Sequence, residues 1–308
     1  MPPTQFQREH FGGIYAAILT PLTPDERLDE SAFEAFCHTL LDEGQQGLYV
    51  TGGTGEAYSI DDTVREKAFR IAARLARSRN RNERIIAHVG GVQTRRACAM
   101  ATSAAAAGCD AVAAIPPYGG RYTFEELTDY YTALAKATPL PVIVYHVPHA
   151  NGYDFPRERL SRWLELPNVI GIKFTSHDLF KFERLVTLHP NKVFFSGSDE
   201  VLASAVQIGA MGAIGLCYNL VGPLALKIFA AVTRGDMATA LAGQSALNAF
   251  VEAYFNANSF QAFKMAAAQR NGWSSGRSPA PAAAASLDAI TSIITATEAA
   301  LRVARELK

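Results

Sequence analysis

Short apolar runs alternate with amphipathic stretches along the first 235 residues, and no other feature constrains the fold as tightly. The runs at 13–22, 47–51, 84–91, 111–118, 141–148, 169–176, 193–197 and 212–216 read as strands. Between them, helical patterns run over about 29–43, from a cap at Ser59 to 79, and over 94–107, 124–137, 156–165, 178–189 and 200–208. In the first of these, Phe33, Phe36, Cys37, Leu40 and Leu41 form one apolar face, and Gly44 stops the helix. Near-continuous apolar strands separated by helices imply parallel pairing covered on the outside, and eight such units are the count of a closed (β/α)8 TIM barrel. A doubly wound open sheet is the runner-up. It wants Gly-x-Gly-x-x-Gly after the first strand, where this chain has Thr20-Pro21-Leu22-Thr23-Pro24.

A chain of 308 residues suits one large domain or two ordinary ones. The alternation assigns 1–235 to a barrel catalytic domain. The alanine-rich helical remainder, 236–308, broken by a loop at 271–279, is expected to be a C-terminal helical extension packed on the barrel.

Twenty-nine basic residues balance 29 acidic ones, which gives no electrostatic case for nucleic acid or an anionic membrane surface. No apolar run approaches a membrane span, and Met1-Pro2-Pro3-Thr4-Gln5 lacks a signal-peptide pattern, so a cytoplasmic protein is expected. Cys37, Cys98, Cys109 and Cys217 are far apart and suggest neither disulfides nor a zinc knuckle. His88, His146 and His149 lack companion carboxylates at ligand spacing, so no metal is expected.

One residue is out of place in this pattern. Lys173 sits in the middle of Val-Ile-Gly-Ile-Lys-Phe-Thr-Ser at 169–176, an apolar run flanked by turn formers. A buried ammonium loses its hydration unless its pKa falls or a partner is found, and a desolvated lysine is a nucleophile able to form a Schiff base with a carbonyl. The alternative is a strand-end lysine that snorkels to water.

Other candidates fall at the carboxyl ends of strands, where barrel active sites form. Gly52-Gly53-Thr54-Gly55-Glu56 is either a plain glycine turn or a cluster of amides aimed at an anion. Tyr145 is either a core residue or a proton relay beside the lysine. Tyr118, Thr175, Asp199 and Glu200 lie at or beyond strand ends, and the Asp-Glu pair also suits the first turn of a helix. No Gly-x-Ser-x-Gly elbow supports serine hydrolysis.

Gly-Gly-Thr-Gly-Glu after the second strand, Tyr145 in Val-Tyr-His-Val-Pro and Lys173 in Gly-Ile-Lys-Phe-Thr together resemble the dihydrodipicolinate synthase and N-acetylneuraminate lyase family of class I aldolases. The resemblance covers roughly 13–255. It implies a TIM barrel, a homotetramer, and imine chemistry on pyruvate or another 2-oxo acid plus an aldehyde, with no cofactor. Lys173 would form the imine, and Tyr145 would transfer protons. Gly53, Thr54 and the amides around them would hold the carboxylate, and Tyr118 would reach across a subunit interface. Ala150 stands where dihydrodipicolinate synthases carry an arginine, whereas Gly197-Ser198-Asp199-Glu200 resembles the N-acetylneuraminate lyases. There the Asp-Glu pair and Thr175 would receive substrate hydroxyls. Gly53 and Leu216 each replace a hydroxyl residue, which points to a shorter or less polar aldehyde. The alternatives are dihydrodipicolinate synthase, a sugar-acid dehydratase such as 5-dehydro-4-deoxyglucarate dehydratase, or, outside catalysis, a sugar-acid-binding barrel.

Overall fold

A computed structural model of the chain describes residues 8–79 and 82–307; Met1-Pro2-Pro3-Thr4-Gln5 and Lys308 lie outside them. Strands β1 (Gly13–Ala17), β2 (Gly47–Val50), β3 (Arg84–His88), β4 (Ala111–Ala114), β5 (Val142–His146), β6 (Val169–Phe174), β7 (Val193–Ser196) and β8 (Gly212–Gly215) pair in parallel, in sequence order. β8 returns to β1 and closes the barrel. Helices α1 (Glu30–Asp42), α2 (Asp62–Ser78), α3 (Thr94–Ala107) and α4 (Phe124–Ala137) follow the first four strands. The short α5 (Pro148–Asn151) and α6 (Arg157–Leu164) follow β5, and α7 (Leu179–Leu188), α8 (Leu202–Gln207) and α9 (Tyr218–Thr233) follow the last three strands. The expected (β/α)8 barrel is the observed fold.

Local chemistry sets several boundaries. The Asp29 side chain accepts from the Ala32 amide at 3.0 Å and starts α1. A reciprocal capping box between Thr123 and Glu126 starts α4, and Gly108, at φ +84°, ends α3. Ser59 caps nothing: α2 begins at Asp62 after Asp61, because the preceding turn runs on and the Ser59 amide donates to the Glu56 carbonyl at 2.8 Å. The helix expected from 200 opens as a 3₁₀ turn, Asp199–Val201, before α8. Strand ladders end earlier than the apolar runs, since residues such as Ile18, Leu19 and Val89 stay in the core past the last ladder pair.

Two apolar layers hold the molecule together. Phe33, Leu48, Val112, Ile172 and Phe174 belong to the layer between strands and helices, while Tyr15, Tyr49, Ile86, Ile143, Ile170 and Phe195 fill the barrel interior. Each such side chain contributes roughly 1.5–3 kcal/mol on full burial.

A register step decides what β6 presents to the interior. β5 pairs Val142 with Val169 but Ile143 with Gly171, leaving Ile170 as an extra residue. Ile170 and Lys173 therefore both face inward, although three positions apart on a strand would place them on opposite faces. Gly171 permits the bulge, because a Cβ there would run into the Val193 carbonyl.

Past the barrel, α10 (Met237–Ala257) packs on α9, α12 (Leu287–Glu306) packs on both, and α11 (Phe260–Asn271) packs on α12.

Candidate active site

Lys173 is 4% exposed, and its neighbour across the β5–β6 ladder is Tyr145. Its Nζ lies 4.3 Å from the Tyr145 ring centroid and 4.4 Å from that of Tyr49 on β2. Burial pulls the ammonium down to about 7, and only the charge of Asp199 works against that fall. The free amine is therefore accessible near neutral pH. Snorkelling is excluded by the burial.

The groups around this amine are equally dry. Burial pushes the Tyr145 phenol up to about 12, so it stays protonated and is a donor at neutral pH. The Thr175 hydroxyl is close enough to draw that value down slightly, yet is buried and holds no hydrogen bond of its own. Tyr49 is fully buried, its hydroxyl likewise without a partner, and its ring meets Tyr145 edge to face with centroids 6.1 Å apart. His88 completes the group, its ring 6.0 Å from that of Tyr145. Its Nδ1 faces the Thr51 carbonyl at 3.1 Å and its Nε2 accepts from the Ile115 amide at 3.3 Å. Only the neutral ring with its proton on Nδ1 fits both contacts. Burial, with the charges of Arg65 and Lys173, keeps it neutral.

Above the amine a cleft of about 610 Å³ opens at the carboxyl ends of β6, β7 and β8. Thr175, Gly197, Asp199, Glu200 and Leu216 all line it. Gly197 has a steric reason to be glycine: a Cβ there would strike the Thr175 hydroxyl and come within 3.2 Å of Lys173 Cε. Asp199 is buried and raised above the usual carboxylate range by desolvation; the Cys217 amide donates to its Oδ2 at 2.8 Å while Oδ1 has no partner. Glu200 reaches the exposed His177 at 2.7 Å.

Helix α10 adds what the motifs did not reveal. Val251, Tyr254 and Phe255 form an apolar wall of the cleft, and Gln244 Nε2 donates to the Asp199 carbonyl at 3.0 Å. Phe255 is 61% exposed, an unusual value for a large apolar side chain, and helical spacing from Val251 was the available clue. Tyr49 was legible in the same way, since it stands at an inward position of its strand.

The remaining candidates sit apart from this cleft. Gly53 is exposed and Thr54 half-buried in the turn after β2. Among the described residues, the amides of Gly53, Thr54 and Gly55 meet no acceptor, so the turn has donors to offer an anion. A Cβ at Gly53 would meet nothing within 4 Å, so packing does not forbid a hydroxyl residue there. Half-buried Tyr118 lies four residues past β4, within electrostatic range of Tyr58, Arg65 and Arg96, and does not line the cleft. Among the described residues, no group of three or more His, Cys, Asp and Glu side chains is placed to hold a metal ion, and no helix is long and apolar enough to cross a membrane.

A closed barrel with a desolvated lysine and a protonated tyrosine at one point of its interior defines a class I aldolase, a lyase of the Schiff-base-forming type. The chain belongs to the dihydrodipicolinate synthetase family, whose model matches residues 10–299. The N-acetylneuraminate lyase of Enterobacter sp. (strain 638) is 36% identical over 253 residues, covering 82% of this chain and 84% of the relative. The N-acetylneuraminate lyase of Escherichia coli O1:K1 is 34% identical over the same length. Among solved structures, CdNal from Clostridium difficile in complex with mannosamine has a TM-score of 0.86 at 26% identity, over 97% of this chain and 99% of that one. The Ruminococcus gnavus sialic acid aldolase, at 22% identity and a TM-score of 0.92 over 98% of this chain and 99% of its own, shares the fold. Within the family, the chain is most like the N-acetylneuraminate lyases.

Proposed function

We propose that the protein cleaves or forms a carbon–carbon bond between pyruvate and an aldehyde through an imine on Lys173. The neutral amine attacks the 2-oxo carbon, and loss of water leaves a protonated imine. On cleavage, the substrate C4 hydroxyl gives up its proton, the C3–C4 electron pair moves toward the imine nitrogen, and the aldehyde departs. Protonation of the resulting enamine and hydrolysis release pyruvate and restore the lysine. Tyr145 gives its phenol proton to the departing water, and the phenolate, held beside the iminium, then takes the C4 hydroxyl proton and passes one on to the enamine carbon. The free amides of Gly53, Thr54 and Gly55, with the Thr54 hydroxyl, receive the carboxylate. No cofactor is required.

The cleft supports a narrower reading of the aldehyde. Thr175, Asp199 and Glu200 offer a hydroxyl and carboxylates to the cleft, and Leu216, Val251 and Phe255 offer it apolar surface. An acceptor that carries both hydroxyls and a less polar group fits this mixed lining. A cytoplasmic homotetramer belongs to the same reading: the buried free thiols suit a reducing compartment, and Tyr118, away from its own cleft, is available to a partner's.

The burial of Lys173 against two aromatic rings carries the proposal. Pyruvate with borohydride is expected to leave a permanent mass on the peptide containing Lys173. Folded protein without that adduct would sink the covalent mechanism. Aldehydes such as N-acetylmannosamine, aspartate semialdehyde and shorter or aromatic compounds would then define the acceptor, with water elimination from deoxyglucarate substrates scored beside them.

A further inference from the structure

The 52–56 turn is tied to the far end of the chain by a contact that the chemistry above does not use. Glu56, 3% exposed, closes the turn, and its carboxylate pairs with Lys264 of α11, which is 0% exposed and 208 residues away. Burial lowers the Lys264 ammonium, and the Glu56 charge opposes that fall.

The turn needs outside support. Thr51 and Glu56, at φ +52° and +59°, are both in the left-handed region without being glycine, and such residues persist only where their surroundings determine them. Gly55 is pressed so close that a Cβ would lie 2.8 Å from Thr51 Cα, and its carbonyl accepts from the Thr20 hydroxyl at 2.8 Å. Thr20 fixes the middle of the turn from the β1 side, and Lys264 fixes its end. The segment between them carries the amides of Gly53, Thr54 and Gly55.

We infer that the Glu56–Lys264 pair positions this turn for the 2-oxo acid carboxylate, making Lys264 a positioning residue for the first substrate. The inference rests on the turn being the carboxylate site. Two charges buried against each other fix direction in a way that apolar packing does not, since leaving either one unpaired is strongly unfavourable. Loosening the tie disperses the amides and weakens ground-state binding of pyruvate. Imine formation at saturation, and the aldehyde subsite across the barrel, are left largely as they were.

The test uses the full-length chain, with Lys264→Met and the neutral double variant Glu56→Gln/Lys264→Met, alongside wild type. Adduct formation under borohydride is followed by intact mass against pyruvate concentration, with thermal unfolding recorded in parallel. In both variants the half-saturating pyruvate concentration is expected to rise about tenfold or more, with the saturated trapping rate within about threefold and the KM for the aldehyde unchanged. The double variant regains most of the thermal stability, having no lone buried charge, but not the pyruvate affinity. A folded double variant that half-saturates at the wild-type concentration overturns the inference. So does failure of both variants to fold, because the pair would then be holding up the fold and not aiming a turn. Wild type that forms no adduct is a separate outcome and strikes the imine mechanism itself.

Discussion

Lys173 and Lys264 are both buried lysines of one chain, 4% and 0% exposed, and burial lowers both. Lys264 has a carboxylate in contact, which supports its charge, so its role is to hold two segments together. Lys173 has no such contact. It rests on the faces of Tyr49 and Tyr145, with Asp199 acting only through its field, and it falls to about 7. On the proposed mechanism, the same residue type is a clasp in one place and a nucleophile in the other. What separates them is whether a counter-charge lies within hydrogen-bonding reach.

The sharpest way to break this contrast is to remove what serves only the reactive lysine. Tyr145→Phe keeps the ring beneath Nζ and deletes the proton donor, so turnover is expected to fall by about 10²–10⁴-fold. Turnover near wild type in steady-state assays would take Tyr145 out of the reaction.

The two lysines should also part company in stability. Lys264→Met strands the Glu56 carboxylate and is expected to cost about 3–5 kcal/mol in denaturant unfolding. Lys173→Met removes an amine that no charge neutralises, and should be neutral or stabilising by ~1–2 kcal/mol. The folded value for Lys173, about 7, lies below its ordinary 10.5, so between these limits the unfolded chain binds more protons and stability rises with pH. Lys173→Met should flatten that rise over pH 7 to 10.5. Equal destabilisation by both substitutions would erase the distinction.

A smaller effect concerns rate against pH. With the amine titrating at about 7, borohydride trapping at limiting pyruvate should rise about tenfold from pH 6 to pH 8 and then level off. A rise centred near pH 10 instead would mean that Lys173 is an ordinary solvated lysine.

Much of this architecture was legible beforehand. α3 and α4 begin and end where the helical pattern puts them, and local chemistry agrees with it at one end of each: a glycine after α3 and a Thr-x-x-Glu box at the start of α4. The strands ran long and Ser59 was mistaken for a cap, because hydrophobicity reports burial, which continues past the last ladder pair, and because a turn hydrogen-bonded to itself looks like a helix start. Thr175, Gly197, Asp199, Glu200 and Leu216 line one cleft together with Val251, Tyr254 and Phe255, which only helical spacing hints at, while Tyr49 lies below it at an inward strand position that carries no motif.

The sequence by itself determined the eight alternating units, and with them a closed parallel barrel, and it marked Lys173 as a lysine in a place meant for apolar side chains. Both follow from patterns a few residues long. Only the tertiary structure decided that Lys173 faces inward, because a bulge at Ile170 and Gly171 resets the count along β6. Tertiary structure also made α10 a wall of the cleft and joined Glu56 to Lys264 across 208 residues. Register and long-range charge pairing depend on how the barrel closes and what packs against it, and no stretch of local sequence encodes that.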